Sequence, residues 1–269
     1  MLDKFFHKTL RIPYTLALYE KRHVNNAKNT LVFLHGVGAS GAAWNEVLKN
    51  LKDAPANILV VDLLGFGKSP KPEWAQYSAK MQSRALAKTL LAKGVFGNAI
   101  LVGHSMGSLI AIEFAKRYPL AVKGLVLCSP PLYDDRTNKY LPERDEQLKK
   151  LYLMMTSNPD RFVVLSELAQ KYGLVGRAFS VSADTVDDYI SALKAAIIKQ
   201  TSLKDIANLN IPIEITYGTL DTFVINSHYK KLASSHENIS TSSFFGGHEI
   251  EGRYVPLVVD AIDRMLENF

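Results

Sequence analysis

Ser105 stands between Gly103 and Gly107 in the stretch AILVGHSMGSLIAIEFAKRYP, residues 99–119. A serine so placed is either a nucleophile or a small residue in a turn. The pattern G-x-S-x-G is built from common residues, so its surroundings must decide between the two. AILVGHS is a short apolar run of the kind that forms a buried strand, and SMGSLIAIEFAKRY carries Leu109, Ile112 and Ala115 at helical spacing before Pro119. A strand that turns into a helix at the serine strains the central backbone, and flanking glycines have no Cβ to clash there. The hydroxyl is lifted clear, and the first N–H groups of the helix are left to meet negative charge.

A serine nucleophile needs a base, an acid to orient the base, and donors for an oxyanion. In a parallel sheet the loops at the carboxyl ends of the strands share one edge, and the partners are sought there. After TLVFLHG comes HGVGASGAAW, whose small residues expose main-chain N–H groups; those of Val37 and Met106 are the expected oxyanion donors. After IPIEITYG comes TLDTFV, which places Asp221 at a strand end. The segment FFGGHEIEGRYVP then presents His248 behind Gly246 and Gly247, whose lack of side chains allows close backbone approach. His35 is a rival base, but it immediately precedes a tight turn and is expected to make structural hydrogen bonds. His104 is expected to pack beside the site. Asp134 and Asp135 are rivals to Asp221 for the acid, though they lie several residues beyond a strand end. His7, His23, His228 and His236 fall in polar segments and are read as surface residues.

The elements that must hold these loops follow an alternating pattern. Strands are expected at YTLALYEKR, TLVFLHG, NILVVDL, NAILVGHS, KGLVLCS, IPIEITYG and ISTSSFF, with helices between most of them and a last helix at VPLVVDAIDRMLENF. Such alternation implies a mostly parallel, doubly wound α/β sheet. Between CSPP and NIPIEITYG the pattern turns helical for about seventy residues, too many for a plain loop. Residues 132–208 are therefore read as a helical cap on a core formed by 1–131 and 209–269. Tyr152, Met154, Met155, Phe162 and Leu165 are read as packing of cap on core, with an apolar pocket at that interface as the other use for them.

The net charge of +6 comes from lysines and arginines spread along the chain, with no dense basic run and no interleaved aromatics, which argues against a nucleic-acid partner. Cys128, the single cysteine, excludes an internal disulfide and is expected to be a buried strand residue. No metal-ligand spacing occurs, and no cofactor or metal is expected. The N-terminal stretch has scattered charges and no unbroken apolar segment, so neither a signal peptide nor stable membrane insertion is expected, and a cytoplasmic location is the default. Nothing in the sequence fixes the oligomeric state.

LHGVGAS, DLLGFGKS, LVGHSMGS, YGTLDTFV and GGHE, taken in order, resemble the landmarks of the α/β-hydrolase fold superfamily, in its capped serine-hydrolase form. The resemblance spans most of the core and leaves the cap unassigned. It implies an α/β-hydrolase fold with the cap inserted after the sixth strand, and Ser105 as nucleophile, His248 as base and Asp221 as acid. Serine at 105 disfavours members that need a carboxylate nucleophile, the haloalkane dehalogenases and epoxide hydrolases. Ser108 departs from the glycine more usual after the elbow. The implied activity is hydrolysis of small to medium carboxylic esters through an acyl-enzyme, on a small-molecule substrate. A C–C bond next to a carbonyl, a thioester or a lactone are the alternatives within enzymes, and a ligand-binding receptor is the alternative outside them.

Overall fold

Four apolar runs form strands almost without exposed side chains: β2 (Asn29–Leu34), β3 (Ala56–Val61), β4 (Ala99–His104) and β5 (Val122–Cys128). They are covered on both faces, which is why they are continuous apolar segments and not alternations. The computed structural model, which describes residues 2–133, 143–171, 179 and 181–269, adds β1 (Leu18–Arg22), β6 (Ile213–Gly218) and β7 (Ile239–Phe244). The sheet runs β1-β3-β2-β4-β5-β6-β7. Only β1 is antiparallel to its neighbour. All seven expected strands are present.

Side chains alternate between the two faces along each strand. Val32 and Leu34 pack beneath α2 (Ala79–Ala92) and α3 (Met106–Arg117). Leu31 and Phe33 face α1 (Asn45–Asn50) and α9 (Tyr254–Glu267) on the other side, with Trp44 edge-on to Phe33 at 5.1 Å. The amphipathic α9 buries Val258, Ala261, Ile262 and Met265 there. From β2 the chain moves outward to β3 and then crosses back to β4, so the loops after β2 and β4 diverge from one crevice. Such a switch point is where open α/β sheets bind ligands.

The long helical stretch leaves after β5, the fifth strand in chain order and not the sixth. Residues 4–9 wind into a π-helical turn, and among the described residues no strand precedes β1. The helical stretch contains α4 (Glu143–Met155), α5 (Pro159–Lys171), α6 (Val186–Ala192), a π-helical turn at Leu193–Ile198, and α7 (Ser202–Ile206). Among its described residues there is no strand. Hydrogen bonds fasten it to the rest of the chain: Tyr77 Oη donates to Asp188 at 2.9 Å and Ser191 Oγ to the Ala75 carbonyl at 3.2 Å. Within the stretch, the Tyr133 hydroxyl lies 2.6 Å from the carbonyls of Ile197 and Ile198, which share its proton. Between β6 and β7 lies α8 (Asn226–Ser235).

α3 passes so close to the end of β2 that a Cβ at Gly107 would collide with the Leu34 carbonyl oxygen and lie 2.8 Å from that of His35. Backbone cannot yield as a flexible side chain can. Gly107→Ala should therefore cost about 1–3 kcal/mol of stability. Urea unfolding of the two proteins would measure it, and an unchanged midpoint would show that the strand end is free to move.

Candidate active site

Ser105 links β4 to α3 with φ 51° and ψ −119°, a left-handed conformation that non-glycine residues rarely adopt. Three contacts hold it. Its N–H donates to the Cys128 carbonyl at 2.9 Å. The buried Ser108 hydroxyl donates to the Gly103 carbonyl at 2.7 Å, tying the strand end to the first turn of the helix. A Cβ at Gly103 would sit 2.6 Å from the Ser108 nitrogen, so only glycine lets strand and helix approach this closely. The loop after β2 lies against the serine, since a Cβ at Gly36 would be 3.3 Å from Ser105 Cβ. Met106, the first residue of α3, has no earlier helical carbonyl to receive its N–H.

Asp221 and His248 meet across two adjoining loops. The Thr219 N–H donates to Phe244 O and the Leu220 N–H to Gly246 O, both at 2.9 Å. The close approach depends on Gly218, where a Cβ would strike the carbonyls of Gly246 and Gly247; a Cβ at Gly247 itself would meet open space. Gly246 and Gly247, expected to allow close backbone approach, act otherwise: a Cβ at Gly246 would strike the Phe244 ring, and Gly247 makes its contact through its carbonyl and not through a missing side chain. His248 Nδ1 donates to Asp221 Oδ2 at 2.7 Å, which turns Nε2 away from the carboxylate. Asp221 Oδ1 accepts from the Phe223 N–H at 2.9 Å. The Phe223 ring stands edge-on to His248 at 5.2 Å. No hydrogen bond joins Ser105 Oγ to His248 in this conformation. Such contacts commonly tighten only when substrate is bound.

Burial alone would lower the His248 pKa, but the facing Asp221 charge and hydrogen bond outweigh it and raise it. Burial alone would raise Asp221, and the same pairing with the Phe223 N–H brings it below the usual carboxylate value. His248's contribution to stability is thus complete below the ordinary imidazole value and fades as pH rises through its raised pKa. That of Asp221 is present above the ordinary carboxylate value and is lost as pH falls through its lowered one.

The other histidines are held differently. His35 accepts the Leu63 N–H on Nε2 at 2.9 Å and donates from Nδ1 to the Gly36 carbonyl at 2.7 Å; burial pushes it down to about 4. His104 donates from Nε2 to the His248 carbonyl at 3.0 Å, and burial, with His248 close by, pushes it down to about 3. Both are neutral braces, as expected from their positions. His7 and His228, expected at the surface, are partly exposed there, but each has a partner. His7 stacks on Tyr14 with ring centroids 3.6 Å apart, and His228 bonds Asp145 of α4 at 3.0 Å. Cys128 is buried, and that burial pushes its thiol up to about 12. Asp134 and Asp135 lie outside the described residues. Tyr254 went unnoticed in the sequence: from α9 its hydroxyl donates to the Thr216 carbonyl at 2.6 Å and meets Ser129 Oγ at 3.1 Å, bracing β6 from below. A lone tyrosine at a helix start carries no pattern that announces such a role.

Ser105, His248, Gly36 and Val37 line one pocket of about 430 Å³. Its far wall comes from the helices after β5 and includes Tyr152, Met154, Met155, Phe162 and Leu165. Both expected uses are met: Tyr152, Met155 and Phe162 pack in or against the core, and all five line the pocket, Met154 and Leu165 from largely exposed positions. α4 is tied to the acid-bearing loop by the Tyr152 hydroxyl, which donates to the Phe223 carbonyl at 3.1 Å. Among the described residues no cluster of three or more His, Cys, Asp or Glu is arranged to hold a metal ion. Nor is any described helix long and apolar enough to cross a membrane.

Residues 29–241 match the model of the alpha/beta hydrolase fold family. The chain is 36% identical over 113 residues to the probable lysophospholipase BODYGUARD 1 of Arabidopsis thaliana, a match that covers 40% of this chain and 24% of that protein. It is 29% identical over 210 residues to Lipase 1 of Psychrobacter immobilis, covering 74% of this chain and 64% of the lipase. It thus spans about a quarter of the plant relative and just under two thirds of the bacterial one. Among solved structures, a bromoperoxidase from Bacillus anthracis superposes with a TM-score of 0.75 at 20% identity, over 94% of this chain and all of that one (100%). A thermophilic esterase from Thermogutta terrifontis does so at 0.71 and 19%, over 94% and 93%.

The electrostatics of the pair can be read directly. The His248 imidazole should titrate above its ordinary value of 6.5. Asp221→Asn removes the opposing charge and leaves burial unbalanced, so the midpoint should fall. Titration of the His248 ring resonances by NMR in both proteins checks this, and equal midpoints would mean that the carboxylate does not hold the proton.

Proposed function

We infer that this chain, which belongs to the alpha/beta hydrolase fold family, hydrolyses small to medium carboxylic esters through an acyl-enzyme on Ser105, with His248 as base and Asp221 as the acid that orients it. The observation that carries this reading is the 2.7 Å His248–Asp221 hydrogen bond at the wall of the pocket in which the strained Ser105 stands. The relatives named as lipase and probable lysophospholipase support ester chemistry. In this reading residues 1–131 and 209–269 form the core, and 132–208 form the cap that shapes the pocket.

His248 Nε2 takes the Ser105 proton as Oγ attacks the ester carbonyl carbon. The electron pair moves to the carbonyl oxygen, which accepts hydrogen bonds from the N–H groups of Val37 and Met106. One such donor is worth about a hundred- to a thousandfold in rate. Collapse of the tetrahedral species breaks the bond to the alcohol oxygen, which leaves with the proton from His248. Water, deprotonated by the same imidazole, then attacks the acyl-enzyme, and the acid departs as the proton returns to Ser105. Asp221 stays ionised throughout and stabilises the imidazolium. The apolar far wall receives the acyl or alcohol chain, and its volume lies within the range of small-molecule sites.

Steady-state hydrolysis of a chromogenic ester series from acetyl to dodecanoyl tests the reading. Ser105→Ala should lower kcat by at least about ten-thousandfold. Retained turnover would remove Ser105 as nucleophile, and an inactive wild type across the series would remove ester hydrolysis. Wild-type kcat/KM should rise with pH through the deprotonation of His248, with a midpoint above 6.5 because the acid form is the one Asp221 stabilises. Phe162 lines the pocket and stacks on Tyr189 at 4.9 Å. Its replacement in Phe162→Ala should raise kcat/KM for the longest esters relative to acetyl by about tenfold, measured on the same series.

A further inference from the structure

We propose that residues 2–12, together with the cationic face of α2, dock this protein on an anionic phospholipid surface. The segment leaves a cluster of apolar side chains in water beside its exposed Lys4, Lys8 and Arg11. It is anchored through Asp3, which accepts the Tyr14 hydroxyl proton at 2.7 Å, and through His7, which stacks on the same ring while its Nδ1 donates to the Ile12 carbonyl at 2.7 Å. Its apolar side chains turn outward. Leu2 is 72% exposed, Phe5 50%, Phe6 44%, Leu10 51% and Ile12 39%, and none of the residues in its π-helical turn is buried. Arg84 and Lys88 of α2 donate to the carbonyls of Arg11 and Pro13 at 2.7 and 2.9 Å, so the segment is pinned to the body in this orientation. An exposed apolar cluster on a fixed element, rimmed by polar residues, marks an interaction surface.

Charge identifies the occupant. Lys80, Arg84 and Lys88 follow one another at intervals of four, which places them along one face of α2. Like charges at this spacing destabilise a helix, so the stripe is not there to support it. Lys8, Arg11, Lys80 and Arg84 together line a hollow of about 220 Å³ between the segment and α2. None of these five cations is ion-paired to a carboxylate among the described residues; Arg84 and Lys88 donate only to main-chain carbonyls. Exposed phenylalanines and leucines beside unpaired lysines and arginines match the acyl boundary and the negative headgroups of a bilayer at the same depth. A second copy of this chain would bring the same positive charge to the contact and be repelled.

Co-sedimentation with large vesicles of phosphatidylcholine containing about 30% phosphatidylserine tests the proposal, since such anionic leaflets attract basic segments. The protein should bind them at least about tenfold more tightly than pure phosphatidylcholine vesicles, and salt should weaken the binding. Phe5→Ser with Phe6→Ser, and separately Lys8→Glu with Lys80→Glu, should each reduce binding by about tenfold or more while leaving the thermal melting midpoint unchanged. These side chains are exposed and take no part in the core, so folding is not at stake. Absence of wild-type binding, or binding that neither pair of substitutions alters, would overturn the proposal. So would a dimer in sedimentation velocity that the Phe5→Ser, Phe6→Ser variant dissolves while vesicles remain unbound. The readout is binding, so it stands or falls apart from ester hydrolysis.

Discussion

The backbone of Ser105 is held at a positive φ that costs a non-glycine residue about 1–3 kcal/mol, and the site is arranged around that strain. It persists because its surroundings allow little else. The Cys128 carbonyl fixes its amide, Ser108 ties strand to helix, and Gly103 and Gly107 let β4, α3 and the end of β2 come into backbone contact. A relaxed turn would lower the hydroxyl into the sheet edge and swing the start of α3 away from the loop after β2. The crossover at β2 and β4 puts both loops at one crevice, and the elbow makes that crevice a site.

A second constraint is electrostatic. Asp221 and His248 are both withdrawn from water, where either charge alone would be costly, and each makes the other's charged form tolerable. Their loops are brought together by contact between Gly218 and the carbonyls of Gly246 and Gly247. His104 and His35, equally buried but facing no carboxylate bond, are held neutral. Three histidines and one aspartate near one sheet edge therefore differ in protonation because of their partners, not their depth. The helices after β5 close an apolar wall over this group, which excludes water and strengthens each of these interactions.

Much of this was legible in the residues. β2 to β6 announced themselves as apolar runs because strands covered on both faces cannot alternate, whereas the edge strands β1 and β7 are half exposed and more polar. Ser105, Asp221 and His248 were locatable because each follows such a run directly, and strand ends in a parallel sheet share an edge. Ser108 stood in the sequence as a mild departure, and only its bond to Gly103 revealed what the hydroxyl does. Gly218 carries no signal of its own in the sequence, because a need for close approach appears only when the opposing loop is in place.

The sequence by itself determined the order of elements, the layered class and the identities of the residues that meet, since these depend on local periodicity and on turn chemistry. Tertiary structure alone decided which face of the inserted helices looks at Ser105, so that Tyr152, Met155 and Phe162 line a pocket and do not simply pack between layers. It decided as well that His228 is paired to Asp145 while His7 lies on Tyr14, and that Phe5 and Phe6 point outward from a segment anchored through Asp3 and His7. Apolarity states that a side chain seeks cover. What covers it is set by contacts between residues far apart in the chain, and no local pattern encodes them.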